Sequence, residues 1–115
     1  MDKALEMIKA VYDDGVAEIN GREYRFLATT HAKRKKVFGF YSGLQADIAK
    51  SDFGFIDSPA FTPVEKTIGD MITHDGNLIS KSPDHWDKYP EDYLQYLTIA
   101  MGVISYPFLR GNLTV

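Results

Sequence analysis

Five groups of side chains in this 115-residue chain have the types needed for chemistry. His74-Asp75 and Asp84-His85-Trp86-Asp87 set imidazole beside carboxylate, the ligand types of a transition-metal site. A metal held on one helix face needs His residues four apart, and neither string has that spacing, so His74 reads as a turn neighbour and His85 as a loop residue. Glu91-Asp92 and Asp13-Asp14 are carboxylate pairs of the kind that do general acid–base work. Adjacent acids point apart on a helix, and both pairs fall at predicted element ends, where they read as charges at helix termini. The run Lys33-Arg34-Lys35-Lys36 suits phosphate, with Arg22 and Arg25 as further candidates for the same basic patch. Four consecutive helical residues point around the axis, however, and no RNP, zinc-finger or clear helix-turn-helix signature accompanies them.

No Gly-x-Ser-x-Gly, P-loop or dinucleotide fingerprint occurs. The absence of Cys excludes disulfides, thiolate metal sites and thiol nucleophiles. The expectation is therefore a protein without catalytic residues, cofactor or metal, its enzymatic alternative being a site built from loops that no linear motif reveals.

Aromatic residues are the stronger signal: seven Phe, seven Tyr and one Trp, concentrated in Phe38-Gly39-Phe40-Tyr41, Phe53-Gly54-Phe55 and the stretch from Tyr93 to Phe108. Such side chains dominate both cores and binding hot spots. Phe38, Phe40, Tyr41, Phe53, Phe55, Tyr96, Tyr106 and Phe108 are the candidate partner-binding residues. From Tyr93 to Leu109 the chain carries no charge at all, so that segment must be covered by its own fold, a second copy or another protein. Gln95, Thr98, Ser105 and Pro107 interrupt it, which makes a membrane span an unfavourable reading. Thr98 and Ser105, with Gln95 a turn earlier, leave one narrow polar stripe expected to stay wet.

These residues need a scaffold, and 115 residues suffice for one domain with a single core. Apolar residues at 44% and charged residues at 25% are ordinary for a globular chain. Net charge is −3, divided between residues 1–50 with nine basic and seven acidic side chains and residues 51–115 with four and nine, a polarity able to orient a partner. The N-terminal residues interleave charges with apolar positions and offer no signal-peptide core, so export is not expected.

The periodicity predicts a mainly helical α+β domain over 1–115, with about four helices and one or two short antiparallel hairpins. Ala4, Leu5, Ile8, Val11 and Tyr12 mark an N-terminal helix over 2–13, within the segment 1–14, closed by Asp13-Asp14-Gly15. Asn20-Gly21 joins strands 16–19 and 22–27 in a type I′ hairpin that sets Ile19 opposite Arg22 and Ala17 opposite Tyr24. One hairpin face then carries Ala17, Ile19, Tyr24 and Phe26 toward the helices. Thr29 or Thr30 caps a helix favoured from 30 to about 50, with Val37, Tyr41, Leu44 and Ile48 on one stripe; Gly39 and Gly43 weaken it, so that it kinks at the glycines, breaks near 43 or packs closely against another backbone there. Thr62-Pro63-Val64-Glu65 has the capping-box form and predicts a helix over 63–72 with Val64, Ile68 and Met71 inward. Asp75-Gly76 marks a second hairpin between Ile72-Thr73-His74 and Asn77-Leu78-Ile79. Ser82-Pro83 opens a single turn through Trp86. The last helix begins at Pro90 and is expected to stop at Pro107, with a short fraying tail after Arg110-Gly111.

Four strings read together carry a resemblance. Ile-Asn-Gly-Arg-Glu-Tyr-Arg-Phe (19–26), Thr-His-Ala-Lys-Arg-Lys-Lys-Val-Phe-Gly-Phe-Tyr (30–41), Phe-Ile-Asp-Ser-Pro-Ala-Phe (55–61) and Asp-His-Trp-Asp-Lys-Tyr-Pro-Glu-Asp-Tyr-Leu (84–94) resemble the small phage and prophage tail assembly chaperones, over residues 16–109. The resemblance implies a non-enzymatic protein of the bacterial host cytoplasm. Such a protein binds the tape measure protein, assists tail tube subunits in polymerising around it, and does not stay in the mature virion. A tape measure protein is a long helical chain with apolar stripes, which suits an apolar helix surface on its binder. The Tyr93–Leu109 helix reads as a core helix first, and with the Phe38–Tyr41 stretch it is the expected client surface, contact falling at its aromatic edges; a second copy of the chain is a further candidate partner. The alternative is a small regulatory or nucleic-acid-binding protein using the basic patch.

Overall fold

Asn20 and Gly21, at φ 52° and 82°, make the turn that organises the fold. They join β1 (Val16–Ile19) to β2 (Arg22–Phe26) in the register Ile19↔Arg22 and Ala17↔Tyr24, as the turn type requires. Ala17, Ile19 and Tyr24 are buried on one face and Phe26 is half-buried beside them. A second turn, Asp75 and Gly76 at φ 51° and 81°, joins β3 (Ile72–His74) to β4 (Asn77–Leu78). The hairpins merge because β2 pairs antiparallel with β3, Phe26 opposite Ile72, giving one sheet in the order β1-β2-β3-β4.

This computed structural model describes residues 3–113, in which six helices surround that sheet in a mainly helical α+β domain. The predicted helix start at residue 2, the side chain of Ala4 and the tail at 114–115 lie outside the described residues. The first helix, α1 (Lys3–Asp14), buries Ile8, half-buries Leu5, Val11 and Tyr12, and closes at Gly15 with φ 78°.

The long helix expected over 30–50 is two helices. Thr30 caps α2 (His31–Ser42), its hydroxyl accepting the Lys33 N–H at 3.3 Å. The helix breaks at Gly43 and resumes as α3 (Gln45–Ala49), with Val37, Tyr41 and Leu44 buried across the break. Gly39 remains inside α2. The capping box at Thr62 does not form. Ser58 instead accepts the Ala60 N–H on its hydroxyl at 3.1 Å and the Phe61 N–H on its carbonyl at 3.0 Å, starting α4 (Phe61–Gly69) two residues early. Burial of Phe61 against Phe40 rewards the earlier start. The helix also ends early, at Gly69, where an added Cβ would lie 2.9 Å from the Ser80 nitrogen.

The turn after Ser82-Pro83 is α5 (His85–Lys88), and a 3₁₀ turn, Pro90–Asp92, leads into α6 (Tyr93–Leu113). Pro107 does not stop this last helix, which continues six residues beyond it. Proline takes the donor from the Val103 carbonyl and crowds the preceding turn. Arg34 reaches the same turn from α2, its Nη1 donating to the neighbouring Ile104 carbonyl at 2.7 Å. The uncharged run is the centre of the core: Tyr96, Leu97, Ile99 to Met101, Val103, Ile104 and Tyr106 are buried under α1, α2 and β1. Gly102 lets α1 approach, since a Cβ there would fall 2.5 Å from the Ile8 Cδ1. Ser105, expected on a wet stripe, is fully buried instead; Gln95 is exposed and Thr98 half-buried.

Candidate functional site

Asp92, last residue of the 3₁₀ turn before α6, is 0% exposed, and the hairpin turn arrives directly over it. Asn20 Nδ2 donates to its Oδ1 at 2.7 Å, Arg22 Nη2 to Oδ1 at 2.9 Å, Arg22 Nε to Oδ2 at 2.6 Å, and the Tyr24 hydroxyl to Oδ2 at 2.7 Å. An ionised carboxylate offers about four acceptor positions, so this one has none left for a substrate. Arg22 Nη2 also reaches Glu91 Oε2 at 2.9 Å, and the guanidinium lies over the Tyr89 ring at 4.1 Å. The acids expected to act as helix-terminal charges pointing apart are thus gathered by one arginine. Arg22 is correspondingly unavailable to the basic patch.

Hydrogen-bond arithmetic fixes the next group. Tyr24 has one hydroxyl proton and gives it to Asp92, so the Tyr24 oxygen accepts from His85 Nε2 at 2.9 Å. His85 is therefore the Nε2–H tautomer, with its lone pair on Nδ1. His85 lies in α5 and is buried, where a loop position was expected. His74 donates Nδ1–H to the Glu23 carbonyl at 3.1 Å and sets its ring 5.0 Å from that of His85. The two histidines line a polar cleft of about 380 Å³ with Lys81, Asp84 and Lys88 at its rim. Among the described residues, no group of three or more His, Asp or Glu side chains is placed to hold a metal ion.

The titration behaviour follows from the contacts. Arg22 first, with Tyr24 and Asn20, holds the Asp92 carboxyl well below the usual range against the opposing effect of burial. Burial first, then the Asp92 charge, pushes the Tyr24 hydroxyl far up. Burial, reinforced by His74, lowers His85. At neutral pH the network is thus a charged carboxylate and guanidinium, a neutral phenol and a neutral imidazole. It ties the first hairpin to the start of α6.

The aromatic candidates divide. Tyr41, Tyr96 and Tyr106 are core residues and cannot face a partner while the fold holds, which corrects their place in the expected surface. Phe38 and Phe40 sit about 200° apart on α2 and flank its buried stripe instead of sharing a face. Phe38 meets Phe108 at 5.0 Å, and the His31 ring lies 5.8 Å from that of Phe108. Phe40 meets Phe55 and Phe61, and Phe55 meets Phe53, with Ile56 exposed beside them. Phe38, Phe40, Phe53, Phe55 and Phe108 are each half-buried. In the basic patch Lys33, Lys35 and Lys36 are exposed, while Arg34 is turned inward to α6. No described helix is long and apolar enough to cross a membrane.

No family model, curated protein or solved structure matches this chain.

Proposed function

We propose that this protein is a non-enzymatic binding protein acting as a phage tail assembly chaperone. In this reading it keeps a tape measure protein soluble in the host cytoplasm and assists tail tube subunits to polymerise around it, outside the mature virion. The observation that carries it is the pair of half-exposed phenylalanine clusters on the two flanks of α2, Phe38–Phe108 and Phe40–Phe53–Phe55 with Ile56. Rings clustered on helices and an adjoining 3₁₀ turn and left partly wet suit an amphipathic client helix. The resemblance of residues 16–109 supplies the client class. The saturated Asp92 carboxylate fits a binding scaffold better than an active site.

Co-expression with the tape measure protein encoded beside it tests the reading. The expected result is a soluble client that co-purifies, with recovery reduced by Phe53→Ser plus Ile56→Ser or by Phe108→Ser. Absence of both solubility gain and co-purification would sink it.

A further inference from the structure

Beyond the phenylalanine clusters, a cleft of about 290 Å³ opens between α4, the Ile79–Lys81 turn, α5 and the start of α6. We infer that it binds a primary ammonium on an alkyl stem, the group a lysine side chain of a protein partner presents. The identity of the chain bearing that lysine rests on the chaperone reading; the site itself does not.

Three features point to this ligand. Tyr96 lines the cleft, is only 3% exposed, and its hydroxyl has no hydrogen-bond partner among the described residues. That hydroxyl is not among the polar atoms sealed from solvent, so it opens to the cleft and is free to pair with a polar group that enters it. Glu65, at the same cleft, accepts the Tyr93 hydroxyl and makes no ion pair among the described residues. The adjacent cation, Lys66, turns to Asp70 at 3.1 Å and leaves the Glu65 charge unmet. Trp86 completes the wall, its ring 4.6 Å from that of Tyr96 and 5.1 Å from that of Tyr93, both near perpendicular. Aromatic faces attract a cation and also cover methylene groups. An anion would meet the Glu65 carboxylate, and a neutral alkyl chain would leave the Glu65 charge without a cation.

Trp86 is the one tryptophan in the chain, so its indole N–H is a single resolved NMR reporter. The test titrates the full-length protein with n-butylammonium chloride, using n-butanol and sodium butyrate as neutral and anionic probes at matched salt. The expected result is a saturable shift for butylammonium in the ~millimolar range, n-butanol at least about tenfold weaker and butyrate without effect. Glu65→Gln, which keeps an acceptor for Tyr93, should weaken butylammonium about tenfold. Tyr96→Phe should weaken it about threefold without lowering Tm, since the hydroxyl it removes has no partner. Equal binding of n-butanol, no saturable shift in the wild type, or a Tm loss in Tyr96→Phe would each overturn the inference. Failure to capture the client beside a successful titration would overturn the chaperone reading alone.

Discussion

Asp92→Asn replaces one acceptor oxygen with a donor where Asn20, Arg22 and Tyr24 already donate. The expected loss is about 3 kcal/mol in urea unfolding, because a buried charge-assisted network is left with facing donors. Tyr24→Phe should cost less, about 1–2 kcal/mol, and the double variant should be less destabilised than the two losses added. His85 adds a pH dependence. Buried against Tyr24 and beside His74, with the charges of Asp92, Arg22 and Asp84 acting on it, it has a folded pKa below its ordinary 6.5. As pH falls below about 6.5 the unfolded chain takes the proton first, so the stability His85 contributes is present above that value and is lost as pH drops toward the depressed folded pKa. The Asp92 contribution has the same sign but a separate window, disappearing only below its ordinary 3.8. Urea midpoints between pH 7 and 5 should fall in the wild type and flatten in His85→Gln.

At the scale of elements, α2 carries two residues whose roles can be separated. Arg34 supports α6 next to Pro107, so Arg34→Met should cost about 1–2 kcal/mol, whereas Lys33→Met on the exposed face should leave the unfolding midpoint unchanged. If the patch served nucleic acid, both changes would instead weaken a salt-dependent complex alike. Gly39 has open space where its Cβ would be and an unstrained φ, so nothing within the fold requires glycine there. Gly39→Ala should therefore stabilise the protein by about 0.5–1 kcal/mol. A simultaneous fall in client recovery would mark the exposed face between Phe38 and Phe40 as the side a client helix approaches.

For the molecule as a whole, the parts fixed within a few residues were legible before any coordinates. Asn20-Gly21 and Asp75-Gly76 determine two hairpins and their registers, because positive φ at consecutive positions leaves the chain few alternatives. The 3.6-residue spacing of Val37, Tyr41 and Leu44 and of Val64 and Ile68 likewise shows which helix faces turn inward. Boundaries that depend on a neighbour were not legible. Pro107 does not end α6, and Arg34, 70 residues away in sequence, ties α2 to the same turn. That the Tyr93–Leu109 run is a core helix was expected, but the fold decided that α1, α2 and β1 cover it and that Ser105 lies dry within it. Only there does Asp92 meet Asn20 and Tyr24, 72 and 68 residues distant, and Tyr96 share a cleft with Glu65 and Trp86. Sequence spacing carries the local torsional and periodic preferences of one element. Which polar groups lose their water together is set by how elements pack, and that is a property of the tertiary structure.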